Sequence, residues 1–390
     1  MANIKNIQKI YPRLNNDDLL EFEIPASRFQ VLLSEVYLHF VVSLDQSQIS
    51  GGDLVPENWF GPKQFSSVEV KLNDDSLSRR SMPHEYALST YLKNLVNYSY
   101  SNAINGCPEI GLFDDYTLRK ELIKDLSDAG TWAKWVKHRK GLNEKYTYEI
   151  VMPIDSTIFN SEDLLPSGQK LTLSFERAET KYSTLITDPG ATVTGIDKVL
   201  ELDDVYLMIP YVEDDKLKRK ESNWVNRPIK LKYDHYQMQR FTLPDGSASV
   251  RLSNVINGKL PKTLLFGIMK ETWYQGSFTE SSTLFNKHGL KELDLQIDGN
   301  SVPGMPVKMS NDCVSIPYSR LKSLSNNGTL NLAHFEQFHF IHCATIGQSE
   351  GSITFEMSFD SAVSTGLVLI VCSVHDTKLE IDQYGNFKIK

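Results

Sequence analysis

The stretch from Leu260 to Gly304, LPKTLLFGIMKETWYQGSFTESSTLFNKHGLKELDLQIDGNSVPG, decides the fold that the sequence predicts. Thr263 to Met269 is an apolar run of strand length, as expected for a strand buried on both faces. Leu293 to Ile297 alternates apolar and polar residues, which is typical of a half-buried strand, and the turn at Asp298 to Asn300 ends it. A short amphipathic helix is predicted to follow from Pro317.

The first half of the chain contains the same order of parts. Val68 to Leu72 alternates in the same phase, and a helix is predicted around Tyr86. Leu293 lies 225 residues after Val68 (293 minus 68), and Tyr318 lies 232 residues after Tyr86 (318 minus 86). A repeat of this length indicates a duplicated domain, since the units of solenoid proteins are much shorter.

Length and composition favour a folded protein with two cores. The chain has 390 residues, which is more than one hydrophobic core usually organises. Hydrophobic residues make up 41% and charged residues 23%, so the chain is not expected to be disordered. The formal net charge of -8 argues against a protein that coats nucleic acid, because such proteins cluster lysine and arginine.

The sequence carries no signal for secretion or membrane insertion. No positively charged start with an apolar core is present, and no apolar run is long enough to span a bilayer. We therefore expect a soluble compartment without a membrane span. The four cysteines lack the spacing of a disulfide framework or a metal site, so we expect them to be reduced: Cys107, Cys313, Cys343 and Cys372.

Short strands joined by turns, with few helices, predict an all-β protein made of antiparallel sandwiches. The strands that close the two halves, Val205 to Pro210 and Leu367 to Val374, are apolar without interruption. In an isolated sandwich the outer face of a sheet is wet and its strands alternate. We therefore expect these strands to be covered on their second face, by the other half or by another subunit.

The sequence predicts the following division of the chain. Residues 1–16 are interpreted as an N-terminal arm carrying Lys5, Lys9 and Arg13. The first sandwich is expected over 17–212 with a loop insertion at 99–145, because the first half is about 65 residues longer than the second after its helix. A charged linker is expected over 213–227, and the second sandwich with a C-terminal tail over 228–390.

Two tandem sandwiches of this kind resemble the double jelly-roll major capsid proteins of DNA viruses. The sequence is similar in particular to those of Polinton (Maverick) elements and adintovirus-like relatives. The resemblance extends from about Asp17 to Gly385, and departures near Leu243, Asp245 and Ser373 to His375 affect the lineage more than the fold. The segments that carry it are Leu20–Pro25, Phe241–Gly246, Asn257–Lys262, Gln296–Gly299 before Val302 and Pro303, and Lys378–Asp382.

The resemblance implies two jelly rolls per subunit and homotrimers that act as pseudo-hexameric tiles of an icosahedral shell. It implies a shell protein of a DNA virus or of a virus-like transposable element, without enzymatic activity and without cofactors. Trimer-to-trimer contacts and penton and minor capsid proteins are the implied partners. The implied location is the virion, with synthesis in the host cytosol and assembly there or in the nucleus.

Two tryptophans in the insertion are the candidate residues of a subunit interface. Trp132 and Trp135 are large aromatics, which dominate the energetics of protein interfaces, although they would serve equally as local core beneath a long loop. The basic residues around them, up to Lys140, would suit a nucleic acid, but a solvated helix face is the favoured interpretation. The N-terminal arm is expected to contact nucleic acid weakly at most.

The search for catalytic or metal-binding motifs gives no site. Gly190 to Gly195 has the glycine spacing of a phosphate loop but lacks the lysine that must follow, so it is interpreted as a turn. His334, His339, His342 and Cys343 form a cluster, yet the odd spacing of the last two histidines places them on opposite faces of a strand. The alternatives are a two-domain β-sandwich that binds carbohydrate and, with less support, an enzyme whose site is not recognisable.

Overall fold

The chain folds into two antiparallel sandwiches, each made of two sheets. In this computed structural model, the described residues are 3–45, 47, 49–57, 59–77, 82–97, 145–186, 190–193, 200–222, 228–309, 314–324, 332, 335–336, 339–364 and 366–390. Most of the predicted insertion lies outside these residues. The predicted all-β class is confirmed, because nearly every described element is a strand.

The first sandwich contains fifteen strands among the described residues. Its longer strands show the alternation that buries one side of each strand, as in β3 and β12. The strands are β1 Asn3–Ile10, β2 Leu14–Asn15, β3 Leu19–Ile24, β4 Gln30–Leu32, β5 Tyr37–Asp45, β6 Ile49–Ser50, β7 Leu54–Pro56, β8 Phe65–Leu72, β9 Asp75–Ser76, β10 Lys145–Pro153, β11 Leu164–Leu165, β12 Leu171–Arg177, β13 Thr184–Ile186, β14 Thr192–Val193 and β15 Leu202–Glu213.

Two sheets of the first sandwich face each other. One has the order β10-β5-β15-β4-β11, with β1 also paired to β15, and the other has the order β2-β3-β12-β8-β9. We call them the first sheet and the second sheet of this sandwich. Phe40 of the first sheet meets Phe65 of the second with ring centroids 5.9 Å apart, so the residues in phase with Phe40 form the core between the sheets.

The segment expected to be an arm contributes a strand to the first sheet. β1 pairs antiparallel with β15, from Asn3 opposite Glu213 to Ile10 opposite Leu207. The sequence concealed this strand because its isoleucines at 4, 7 and 10 recur every third residue, not every second. An edge strand needs little alternation, because backbone pairing with one neighbouring strand holds it while its side chains remain exposed.

The second sandwich contains ten strands within its described residues. Its closing strand β24 is the longest in the described chain, and its first eight residues are all buried. The strands are β16 Ile229–Thr242, β17 Ser249–Lys259, β18 Thr263–Lys270, β19 Leu290–Ile297, β20 Asn300–Ser301, β21 Val307–Lys308, β22 Ile341–Thr345, β23 Glu350–Phe359, β24 Leu367–Ile381 and β25 Phe387–Ile389.

The two sandwiches share one strand order. The first sheet of the second sandwich runs β16-β24-β18-β22, and its second sheet runs β17-β23-β19-β20. Position by position, β16 corresponds to β1, β24 to β15, β18 to β5 and β22 to β10. The repeat that the sequence indicated is therefore a repeat of sheet topology, and the strands around Val70 and Leu295 occupy equivalent places.

Five α-helices lie between the strands in the part of the chain that the structure describes. Helix α1 follows the first alternating strand and α5 follows the second, as the repeat predicted. The linker expected over 213–227 contains α3 in its described part. The helices are α1 Glu85–Asn97, α2 Thr180–Ser183, α3 Asp215–Ser222, α4 Glu271–Tyr274 and α5 Ser315–Leu324, with 3-10 turns at Leu33–Glu35, Pro62–Gln64 and Thr157–Asn160.

The chain forms two compact units. The first consists of 1–90, 105–235 and 376–390, and the second of 91–104 and 236–375. The C-terminal tail thus belongs to the first unit. There Asn73 donates a hydrogen bond from Nδ2 to the carbonyl oxygen of Gly385, 2.9 Å away. The left-handed φ of +81° at Gly385 allows this close approach, because a Cβ would lie 2.6 Å from that nitrogen.

Candidate assembly surfaces

The second sheet of the first sandwich has a polar outer face. Its outward residues on β3, β12 and β8 are mostly carboxylates and hydroxyls, and they bond to one another. Ser67 donates to Glu176 Oε2 at 2.7 Å, and Lys71 lies 3.3 Å from Glu69. A face that pairs its polar groups in this way is stable in water and needs no cover.

The first sheet of the same sandwich has an apolar outer face. The register pairs Ile7 with Pro210 and Met208 with Tyr37 across three strands. These residues alternate with the fully buried core residues, so they point away from the core. We call this surface the apolar outer face; its members are Ile7, Lys9, Tyr11, Tyr37, His39, Val41, Glu149, Val151, Tyr206, Met208 and Pro210.

His39 holds the centre of the apolar outer face in place. Its ring stacks on Tyr206 with centroids 4.2 Å apart and an interplanar angle of 12°. Nδ1 lies 2.9 Å from the carbonyl oxygen of Asp204, and Nε2 lies 3.0 Å from Oε1 of Glu149. The carbonyl oxygen and the carboxylate are both hydrogen-bond acceptors, and they belong to the two strands that flank β5. The arrangement fixes Tyr206 and ties three strands together.

One edge of the apolar outer face is open to solvent. Ile7 on β1 is 58% exposed, and Tyr11 just after β1 is 62% exposed. Lys9 lies over the Tyr206 ring, 3.8 Å from its centroid, and Tyr11 meets the same ring edge-on at 6.0 Å. Large apolar side chains that converge on one surface mark an interaction site more often than isolated ones do.

The equivalent face of the second sandwich is covered within its own compact unit. On β18 the outward residues Leu265 and Met269 are buried, and a Cβ on Gly267 would lie 2.6 Å from the Phe285 ring. Phe285 therefore packs directly against the strand. The backbone N–H of Asn286 donates to the carbonyl oxygen of Ile268 at 3.1 Å, which holds the covering segment on the sheet.

A second layer of side chains supports Phe285. The Tyr91 ring is stacked parallel to it with centroids 6.1 Å apart, and the Tyr91 hydroxyl forms a hydrogen bond with Nδ1 of His339. Tyr91, Phe285 and His339 are all buried. Helix α5 packs on β22 next to this layer. The sequence predicted cover from the other half or from another subunit for the closing strands; over β18 the cover instead consists of Phe285, Tyr91 and their neighbours in the same compact unit.

The histidines of the predicted cluster lie in different surroundings. His339 belongs to the cover, whereas His342 points into the core between the sheets and stacks on Phe266 at 5.5 Å. Burial, with a smaller effect of Arg320, lowers the pKa of His342 to about 3, so the ring is neutral. Of the described residues, no group of three or more could hold a metal ion, and His334 lies outside them.

Several predicted features lie outside the described residues. Trp132 and Trp135, the candidate interface residues, are among them, as are Cys107 and Cys313. Of the glycine-spaced segment, Thr192 and Val193 form β14, paired with β6. The sequence predicted that the strand at Val205 to Pro210 is covered on its second face, but it did not predict that β1 extends this apolar surface. The signal for β1 was the concentration of isoleucine and tyrosine in a segment interpreted as an arm.

Among the described helices none is long and apolar enough to cross a membrane. No protein-family model matches the chain, and no curated protein matches it significantly.

Solved structures give the clear likeness. The chain is similar to the mavirus major capsid protein, with a TM-score of 0.62 and 11% identity over 100% of this chain and 91% of that one. For the Sputnik virophage structure the TM-score is 0.62 and the identity is 12%, over 100% of this chain and 89% of that one. For the Faustovirus major capsid protein the TM-score is 0.58 and the identity is 9%, over 98% of this chain and 91% of that one. At these identities the likeness shows the fold, a double jelly roll, as the sequence predicted.

Proposed function

We propose that the chain is a major capsid protein that builds a closed shell by self-association. The observation that carries the proposal is that both sandwiches, over the whole chain, match the two-sandwich fold of viral major capsid proteins. A structural match over only one half of the chain would have supported no more than a general β-sandwich fold. No observation favours the carbohydrate-binding alternative, and the proposed role requires neither catalysis nor a cofactor.

The proposed unit of assembly is a homotrimer. Two sandwiches with one strand order but different surfaces give each subunit two unequal sides, which a closed threefold ring requires. Three subunits then present six similar rolls and fill a hexagonal position. Contacts between trimers need little affinity individually, because a closed shell engages many of them together.

The remaining elements of the proposal rest on the sequence. We place Trp132 and Trp135 at a subunit contact and divide the chain into sandwiches at 17–212 and 228–390, joined by 213–227. Penton and minor capsid proteins are the further partners, and the N-terminal segment contacts nucleic acid weakly at most. We assign the chain to the lineage of Polinton elements and adintovirus-like relatives, with the virion as its location.

The mass of the purified protein in solution tests the proposal. Light scattering after size exclusion should give about three times the chain mass of 44.3 kDa, and electron microscopy at higher concentration should show hexagonal tiles or closed particles. A stable monomer at micromolar concentration, with no particles when the protein is concentrated, would contradict the capsid role.

A second measurement separates the tryptophan proposal from the capsid role. The double variant Trp132→Ala/Trp135→Ala should lower the trimer's resistance to dilution at least about tenfold, because buried aromatics dominate interfaces. Trp273→Ala is unsuitable as a control because Trp273 is buried. Tyr384→Ala, which truncates a residue that is 80% exposed, is the control. Unchanged trimers would place the tryptophans elsewhere without affecting the capsid role.

A further inference from the structure

The apolar outer face needs a partner, because the first sandwich does not cover it with its own described residues. Tyr37, Val41, Val151 and Met208 are only half-buried, next to the exposed Ile7 and Tyr11. The equivalent residues of the second sandwich are buried under Phe285 and α5. A sheet face of this apolar character is unfavourable in water and is normally covered.

We propose that the apolar outer face binds helix α5 of a second copy of this chain. The inference rests on the proposed self-association and names the two surfaces that meet. Because one copy contributes its first sandwich and the other its second, the contact is head-to-tail and can close into a ring. Helix α5 of the second copy would thus cover the outer face of the first sandwich. In the second sandwich, the corresponding face is covered by α5 and its neighbours of the same chain.

Helix α5 offers an apolar anchor. It buries Pro317 and Leu321 in its own unit, and its outer side carries Ile316, which is 48% exposed. Among the described residues of the second unit, Ile316 and Leu332 are the large apolar side chains most exposed to solvent. Ile316 could pack against the exposed side chains of Ile7 and Tyr11.

The charges of the two surfaces are complementary. The apolar outer face is flanked by the exposed carboxylates of Glu149, Asp203 and Asp204. Helix α5 has no acidic residue and exposes Lys322, whose Nζ lies 5.7 Å from the centroid of the Tyr318 ring. No ion pair of Lys322 occurs in the described part of the chain. Opposite charges at the rim of an interface favour one partner and orientation over others.

Truncation of the apolar contact gives the first test. The dissociation constant of the oligomer is measured by sedimentation velocity over a dilution series, with subunit exchange between two labelled pools read in parallel. Tyr11→Ser, Ile7→Ser and Ile316→Ser should each weaken the oligomer at least about tenfold. Tyr384→Ser, an equally exposed aromatic outside both surfaces, should leave it within about twofold. Thermal melts of the variants verify that each remains folded.

Charge reversal gives the second test, which identifies the partner surface. Asp203→Lys and Lys322→Glu should each weaken the oligomer about three- to tenfold, and the double variant should return to within about threefold of the parent. Such rescue requires the two positions to meet. If the oligomer of the double variant is weakened by the sum of the two single effects, the pairing of these two positions is overturned.

The outcomes separate this inference from the proposed function. An oligomer that withstands Tyr11→Ser and Ile7→Ser leaves self-association intact but overturns the apolar outer face as its interface. Weakening by these changes but not by Ile316→Ser also overturns the inference, since the occupant is then the chain's own insertion or another surface. A parent protein that is monomeric at every concentration overturns the proposed function together with this inference.

Discussion

The first sheets of the two sandwiches have the same strand order but opposite outer faces. In the second sandwich Phe285, supported by Tyr91, closes the outward side of β18, where Leu265 and Met269 are buried, and α5 packs on the neighbouring β22. In the first sandwich the outward side of β5 and its neighbours is apolar and half-open, with Ile7 and Tyr11 at its edge. Strand order therefore does not determine what lies on the outside of a sheet.

The difference lies in the connecting segments. The second sandwich places residues 271–289 and α5 against its first sheet, and Tyr91 of α1 supports Phe285 there. The first sandwich uses His39 and its two hydrogen bonds to fix an aromatic surface instead. A duplicated fold can in this way keep its core while one copy is closed and the other is left for binding.

The largest effect is expected when the cover of the second sandwich is broken. Phe285→Ala removes a fully buried ring that packs on β18 and Tyr91 and should lower the free energy of unfolding by about 3–5 kcal/mol. Urea unfolding at one fixed protein concentration measures it. Tyr384→Ala, on an exposed ring, should stay within about 0.5 kcal/mol. A loss below about 1 kcal/mol for Phe285→Ala would mean that the ring is not the cover.

Overfilling the same contact should cost less. Gly267→Ala places a Cβ 2.6 Å from the Phe285 ring and 3.0 Å from the carbonyl oxygen of Phe340, so we expect a loss of about 1–3 kcal/mol. Adding Phe285→Leu to this variant should recover part of the loss, because the smaller side chain makes room. Urea denaturation of the two single variants and the double variant gives the coupling. Strict additivity would contradict direct packing of Phe285 on Gly267.

The buried imidazole of His342 should make the second sandwich sensitive to acid. Its pKa is lowered from 6.5 to about 3 in the folded protein, so the unfolded chain takes up the proton first. Its neutral form favours folding above pH 6.5, and that contribution is lost as pH falls toward 3, by about 1.4 kcal/mol per pH unit at most. His342→Leu should flatten the pH dependence of the unfolding free energy in this window. An unchanged slope would contradict the neutral buried ring.

In the first sandwich the central histidine should matter moderately. His39→Phe keeps a ring to stack on Tyr206 but removes the hydrogen bonds to Asp204 and Glu149, so we expect a loss of about 1 kcal/mol. Guanidinium unfolding of the variant measures it, and His39→Gln, which retains a hydrogen-bonding side chain, should lose less. A larger loss in His39→Gln than in His39→Phe would show that stacking on Tyr206, not hydrogen bonding, holds the residue.

The smallest effect is expected at the far end of the same face. Thr147→Ala removes an exposed hydroxyl that lies 3.3 Å from Ser43 Oγ on the neighbouring strand, and stability should change by less than about 0.5 kcal/mol. Thermal unfolding measures the change, with Ser43→Ala as the matched partner. A larger loss of stability in both variants would mean that the hydrogen bond between Thr147 and Ser43 stabilises this end of the face despite its exposure.

Much of the fold could be predicted because its signals are local. The alternation at Leu293 to Ile297, the turn at Gly299 with a φ of +80°, and the apolar run in β24 each identify an element from neighbouring residues. The strand at Asn3–Ile10 could not be found in this way. Its pairing with β15 joins residues about 200 positions apart, and its exposed side chains leave no period-two pattern.

The sequence by itself determined the class, the duplication and the two-sandwich architecture, because periodicity and turn residues act within a few positions of the chain. Only the tertiary structure decided which outer face is closed and which is open. Burial of Gly267 beneath Phe285, and exposure of Tyr11 beside Tyr206, depend on side chains brought together from distant segments. Coverage of a face is a non-local property, so identical strand patterns in the two halves could not reveal it.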